Sequence, residues 1–457
     1  MRQVSDIEKL FIIISIFLFI WIFVRGYLEW DAAVYTLNGR YFSGENIYHE
    51  NFRPPLLPAI YAVFFKMFGY SELVPKIVSF LFSVITLALV YKFAKIFYDR
   101  KTALVSVLLF FSAGIFLYWS SAAVTEIPSL MFSLIFFIFL IHAAKTNGLK
   151  YFFYAGVVFA LAFLAKYTAA YLIFSLGSLF IFSNKFRKIK GFIVLFLAFL
   201  LVLSPWLFFN YSIAKDPLYG FKINLQFYTQ AYGPNLNQII FMLIGIGPLV
   251  WIFFPIFIFN RKNWKDERTI IISLIFVPIL IFFILFSVKQ DRFLIPALPL
   301  FTIFAAVPFT KLKHYKFLIL FNLFIGILLT LTYTSYLCSD SALEKAGVFA
   351  KERGLSGNFY STFWPVFSYY SGSNASAPPW PPQVLLEDVQ NSKVDHILIT
   401  SGNIDPCYAR LEILNKLEFL TLEEKFSGCD FDVYLFRVDA TRFDAQRRND
   451  YLEALKC

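Results

Sequence analysis

A chain of 457 residues that is 59% hydrophobic, 21% aromatic and only 16% charged lies far from the roughly 25% charge of a water-soluble domain, and reads as a multi-span membrane protein. Its net charge of +11 does not argue for nucleic acid. Residues 1–337 hold 29 Lys and Arg against 13 Asp and Glu, whereas residues 338–457 hold 12 against 17, so the basic excess belongs to the membrane part, where short basic loops orient a chain.

The first stretch, "MRQVSDIEKLFIIISIFLFIWIFV", has a basic end and an apolar run too long for a signal peptide, with no small-x-small cleavage site after it; it is expected to be a retained span. Crossing about 30 Å of hydrocarbon takes about 20 apolar residues. Runs of that kind fall at 10–28, 73–97, 102–119, 124–143, 151–165, 167–183, 191–210, 238–259, 269–287, 293–309 and 316–337, which predicts about 11 transmembrane helices. The segments "YKFAKIFYDRK", "KTNGLK", "NKFRKIK", "RKNWKDER" and "KLKHYK", with the N-terminus, collect 19 Lys and Arg, so that side is read as cytoplasmic. Spans five and six are short and parted by Lys166, and basic loops on either side make them a thin pair with Lys166 at its outer tip.

An odd number of spans puts residues 338–457 outside the cell membrane. There the pattern turns soluble: helix-like "SALEKAGVFAKERGL" and "VLLEDVQ" alternate with strand-like "GNFYST", "DHILIT" and "FDVYLFRV" around a "SAPPWPPQ" loop. The expectation is a small extracytoplasmic α/β domain at 338–457, after a membrane domain at 1–337. Cysteines 338, 407, 429 and 457 form no CxxC pair; outside the cytoplasm, Cys407 and Cys429 can pair. Asn374-Ala375-Ser376 is a glycosylation sequon by pattern.

Charges on the outer side are few and clustered: Glu29, Asp31, Arg40, Glu45, Glu50 and Arg53 in the first loop, then Glu126, Lys166, Asp291 and Arg292 at helix ends. Ionisable groups at membrane depth cost several kcal/mol, so they persist where they pair or serve a site. Asp31 stands where the chain leaves the bilayer, suited either to take a proton from a hydroxyl or to act as an interfacial cap. Arg53 precedes Pro54-Pro55, which stiffen the turn, and suits either a bidentate phosphate contact or a snorkelling role. Thr125 and Glu126 fit a helix N-terminus, where the dipole alone favours an acid. Lys166 and Arg292 interrupt apolar runs, with Asp291 a candidate counter-charge for Arg292. No Walker, GxGxxG or HExxH motif occurs and the four histidines are scattered, so neither a metal nor a cofactor is expected.

In order along the chain stand "EWDAAVYTLNGRYF", "FRPPLLPAIYAVFFKMFG", "TEIP", "FLAK" and "DRFLIPALPLF". With these the chain resembles the polyprenyl-phosphate-sugar-dependent GT-C glycosyltransferases, the group that includes protein O-mannosyltransferases and the lipid A aminoarabinose transferase. The resemblance implies catalytic roles for Asp31 and Glu126 and a donor-phosphate site at Arg53, Lys166 and Arg292. It also implies inverting transfer of one sugar from a polyprenyl phosphate (dolichyl or undecaprenyl) to a hydroxyl of a protein, lipid or glycan acceptor. Tyr167 stands where relatives commonly have glycine, and the oligosaccharyltransferase WWDYG signature is missing. The alternatives are a transporter or lipid flippase with an outward charged cavity, and a non-catalytic assembly partner acting through the outer domain.

Overall fold

The computed structural model describes residues 6–23, 28–229, 244–285, 290–333, 341–401, 406–428 and 431–456. In chain order the helices begin with α1 (Asp6–Trp21), α2 (Trp30–Ser43), α3 (Leu56–Phe68), α4 (Leu73–Phe97), α5 (Arg100–Phe111), α6 (Gly114–Ser120) and α7 (Glu126–Thr146). They continue with α8 (Leu149–Ala165), α9 (Tyr171–Phe182), α10 (Ile189–Ala214), α11 (Tyr219–Thr229), α12 (Pro248–Phe259), α13 (Glu267–Leu285), α14 (Leu298–Phe309) and α15 (Tyr315–Tyr333). After residue 340 come α16 (Ala342–Glu352), β1 (Phe359–Ser361), α17 (Trp364–Ser371), β2 (Ala375–Ser376), α18 (Pro382–Gln390) and β3 (His396–Thr400). The chain closes with α19 (Leu411–Leu414), β4 (Leu420–Ser427), β5 (Asp432–Val438) and α20 (Arg448–Ala454).

Two compact units emerge. One comprises Met1–Phe23, Asn51–Ile60 and Leu73–Thr334; the other comprises Val24–Glu50, Tyr61–Glu72 and Ser335–Cys457. Residues 28–50 and 61–72 thus belong to the same unit as the C-terminal sheet.

In the first unit six helical stretches among the described residues are long and apolar enough to cross a membrane, or seven if α5 and α6 form one bent span. Their large side chains point outward as well as inward: Phe259 is 83% exposed and Leu285 77%. An apolar exterior of this extent is stable in lipid and not in water. Inside, aromatic pairs join the helices, Phe159 with Phe199 between α8 and α10 at 4.5 Å and Phe257 with Phe304 between α12 and α14 at 4.3 Å. Residues 238–243 of the eighth expected span lie outside the described residues.

The stretch 102–119, expected as one span, is two helices bent by 66°. A break of this kind in a membrane needs polar groups packed against it, and one face of α15 lies there. Thr330 Oγ1 donates to the Gly114 carbonyl at 3.2 Å, and Asn322 Nδ2 to Ser112 Oγ at 2.8 Å. Gly326, midway between them, lets the backbones meet: a Cβ there would lie 2.2 Å from the Ser112 carbonyl oxygen. The spacing of four residues in "NLFIGILLT" puts Asn322, Gly326 and Thr330 on one stripe.

The second unit holds a five-stranded mixed sheet of order β2-β1-β3-β5-β4. β1 runs parallel to β2 and β3, and β5 antiparallel to β3 and β4, with Ile397 opposite Phe436 and Phe426 opposite Val433. Central β3 is buried along its whole length, so it reads as a continuous apolar run. Its core includes Leu386 and Val389 of α18, Ile397 and Ile399 of β3, Phe436 of β5 and Tyr451 of α20. Several elements went unseen in the sequence, among them α2, β2, β4, α17, α19 and α20. β4 is a mostly exposed edge strand without alternation, and α17 begins "WPVF", with its proline in the first turn. Cys407 is disulfide-bonded; Cys429, its suggested partner, lies outside the described residues.

His396 opens β3 with its ring stacked on Phe359 at 4.8 Å and Nε2 3.8 Å from Glu423. Burial holds its pKa below the ordinary 6.5, against partial opposition from Glu423 and Asp395. The folded protein therefore resists a proton that the unfolded chain accepts. The stability this gives is complete above about pH 6.5 and is lost as pH falls through that value. Melting curves of the full chain from pH 7.5 to 5 should show a steeper fall in the wild type than in His396→Phe; parallel slopes would refute the assignment.

Candidate active site

The first unit gathers three of the sequence-expected residues around one carboxylate. Glu126 opens α7 and is 2% exposed; Pro128 fits the first turn because no N–H there has an intrahelical partner. Thr125 stands at the cap position, but its side chain makes no cap bond, which corrects the capping expectation. Lys166 occupies the gap between α8 and a 3-10 turn at Tyr167–Ala170, in extended conformation (φ −157°, ψ 121°). That break sends its side chain to Glu126, where Nζ and Oε1 form a short ion pair. Lys166 is thus buried at its turn and not presented to water.

Arg292 comes from a third direction, a 3-10 turn at Asp291–Ala297. Its Nε lies 3.2 Å from the same Glu126 Oε1 and donates to Gln290 Oε1 at 2.6 Å, with the guanidinium over the Trp119 ring at 5.4 Å. Buried Asp291 accepts from Trp119 Nε1 at 2.9 Å. Glu126 holds two cations here, and the buried carboxylate of Asp291 acts on Arg292 as well; buried charges persist only where they are paired in this way. Glu126 Oε2 and Thr168 Oγ1 are buried with no hydrogen-bond partner among the described residues. Orphaned polar atoms of this kind call for a ligand or an ordered water.

Arg53 lies in a turn just before α3, with its guanidinium 5.5 Å from the centre of the Phe52 ring. Gly220 of α11 ties this turn to the Lys166 break. A Cβ at Gly220 would lie 2.9 Å from the Tyr167 hydroxyl, 3.1 Å from the Phe52 carbonyl oxygen and 3.4 Å from Asn210 Oδ1. Only glycine admits so close an approach. The Tyr167 hydroxyl accepts from Trp206 Nε1 at 2.8 Å, so the tyrosine in the glycine position is built into this junction. Guanidinium and ammonium groups converging on buried polar atoms can hold a phosphate.

Asp31 belongs to the second unit, half-buried in the first turn of α2, where a carboxylate favours the helix dipole. Beside it, Trp30 packs edge-on against Trp364 at 4.4 Å and Phe363 at 5.6 Å. At the other end of α2, Arg40 pairs with Glu45 and lies over the rings of Tyr70 (5.1 Å) and Tyr369 (5.8 Å). The helix that carries Asp31 is clamped at both ends.

Residues 52–209 match the dolichyl-phosphate-mannose-protein mannosyltransferase family. Among solved structures, ArnT from Cupriavidus metallidurans bound to undecaprenyl phosphate superposes with a TM-score of 0.73 at 11% identity, over 93% of this chain and 97% of that one. The fold is that of the GT-C glycosyltransferases. Other GT-C structures agree. The archaeal oligosaccharyltransferase AglB from Archaeoglobus fulgidus gives a TM-score of 0.56 at 10% identity, over 88% of this chain and 71% of that one. The mycobacterial arabinofuranosyltransferase AftD gives 0.60 at 11% identity, over 97% of this chain and 40% of that one. No curated protein sequence matches the chain.

Sequence reasoning missed Trp119, Gly220 and Asn210 in this fold. Trp119 was read as span, Gly220 as loop, and Asn210 as the end of an apolar run. A polar residue closing such a run was the one available signal.

Proposed function

We propose that the protein is an integral-membrane inverting glycosyltransferase that moves a single sugar from a polyprenyl phosphate donor to a hydroxyl-bearing acceptor on the outer face of the cell membrane. The observation that carries this reading is the buried cluster in which Glu126 holds Lys166 and Arg292. It lies in a fold shared with a protein bound to undecaprenyl phosphate. In the proposed reaction Asp31 takes the proton of the acceptor hydroxyl, whose oxygen attacks the anomeric carbon. The new glycosidic bond forms as the bond from that carbon to the phosphate oxygen breaks.

Polyprenyl phosphate leaves with the bonding electron pair, already a stable anion, so the leaving side needs positive charge and no general acid. Arg53, Lys166 and Arg292 supply that charge in a low-dielectric place, where it acts most strongly. Glu126 keeps the two inner cations in position.

The test is direct. Purified protein given a polyprenyl phosphate sugar should release free polyprenyl phosphate when an acceptor is present, and Arg53→Ala should raise the donor KM at least tenfold. Unaltered turnover in that variant would reject the phosphate assignment. Substrate uptake into vesicles holding only this protein, without product, would move the reading to transport.

A further inference from the structure

The second unit contains a cleft that the proposed chemistry does not use. Its volume is about 540 Å³ and it opens to solvent between the loop after α2 and the chain leading into β2. Such a size is ample for a small ligand. Tyr41, Tyr48, His49 and Trp364 give it rings, and Asn46 and Asn374 give it side-chain amides.

These walls are set in advance. The Tyr41 and His49 rings stack in parallel at 4.1 Å. Trp364 Nε1 donates to the Tyr48 hydroxyl at 2.9 Å, and that hydroxyl donates to Glu50 Oε1 at 2.5 Å. Glu50 in turn has its backbone N–H and carbonyl bound by the Asn38 amide at 2.9 and 3.0 Å. A wall already ordered loses little entropy when a ligand binds.

The chemistry of the lining selects among ligands. Among the described residues, none lining the cleft is Lys, Arg, Asp or Glu, whereas phosphate or carboxylate recognition draws on cationic forks. Burial keeps the His49 imidazole below its ordinary pKa, with Glu50 opposing; neutral at pH 7, it offers one donor and one acceptor nitrogen. Aromatic faces for C–H surfaces, with amides and a neutral imidazole for hydroxyls, suit an uncharged sugar. Position adds a second argument. Tyr41 and Asp31 share α2, ten residues apart, so about 15 Å of rigid helix separates the cleft wall from the acid.

We propose that this cleft binds a neutral carbohydrate and holds the non-reacting part of a glycan acceptor whose reacting hydroxyl extends toward Asp31. The acceptor role rests on the transferase reading; the carbohydrate affinity does not. Binding energy collected that far from the reacting bond positions the acceptor.

Full-length protein in detergent, made in a host without N-glycosylation so that Asn374 is bare, is tested by saturation-transfer NMR. The probes are neutral gluco-, manno- and N-acetylglucosamine trisaccharides, with a sialylated trisaccharide beside them. A neutral probe should show transfer that drops at least fivefold in both His49→Ala and Ser376→Trp, the latter filling the cleft from β2. With that glycan as acceptor, His49→Ala should raise its KM at least tenfold and leave kcat unchanged. Absence of transfer from every neutral probe, preference for the sialylated one, or unchanged signals in both variants would overturn the cleft. If a neutral glycan binds but no donor is ever turned over, the transferase reading falls and the carbohydrate site stands. Transfer to a glycan at unchanged KM in both variants would remove the acceptor role.

Discussion

Glu126→Ala should destabilise the protein by about 3–5 kcal/mol, the usual effect of removing one partner from a buried ion pair, and should abolish sugar transfer. Without the carboxylate, Lys166 and Arg292 lose the group that both of them pair with in a buried place. The double variant Glu126→Ala/Lys166→Met tells structure from chemistry. Removing the orphaned cation should recover part of the stability, a coupling of roughly 0.5–3 kcal/mol. Activity should stay absent, because the phosphate loses a cation as well. Melting in detergent with release of polyprenyl phosphate measures both quantities. Strictly additive losses of stability would mean that the two side chains do not act as a pair.

Asp31→Asn is the complementary case, with a large loss of activity and a small structural effect. The amide keeps the shape of the side chain but cannot take a proton, so kcat should fall by about 10²–10⁴ while the donor KM stays the same. Loss of a first-turn charge weakens α2 by only about 0.3–1 kcal/mol, and Trp30, packed on Trp364 and Phe363, still fixes the start of the helix. Asp31→Glu should keep part of the rate, since the proton acceptor is retained but displaced. Normal kcat in Asp31→Asn would require another base. The Arg53→Ala effect on KM and the Asp31→Asn effect on kcat then separate donor binding from proton transfer.

The two halves of the candidate site differ in how legible they were. Glu126, Lys166 and Arg292 stood out because each is a charge inside an apolar run, and a transfer cost of several kcal/mol makes such a residue conspicuous one position at a time. What each charge meets could not be read that way. Asp291 was read as a counter-charge of its neighbour Arg292, and it does act on that residue, but its carboxylate also accepts from Trp119, 172 positions away, and Arg292 also reaches Glu126. Proximity in sequence suggested the neighbour, but neither distant partner leaves a signal in the local sequence.

Hydropathy and charge, which are sums over local residues, were enough for the membrane class, the long apolar helices and the switch to an α/β pattern in the C-terminal part, but α2, which carries Asp31, was read as loop. Tertiary packing alone decided that α5 and α6 bend and are sealed by Asn322, Gly326 and Thr330, that α2 joins the unit of the C-terminal sheet, and that Gly220 joins the Arg53 turn to Lys166. Each of these depends on close approach between segments far apart in the chain, where a missing Cβ or a single hydrogen bond sets the geometry, and no window along the sequence contains both partners.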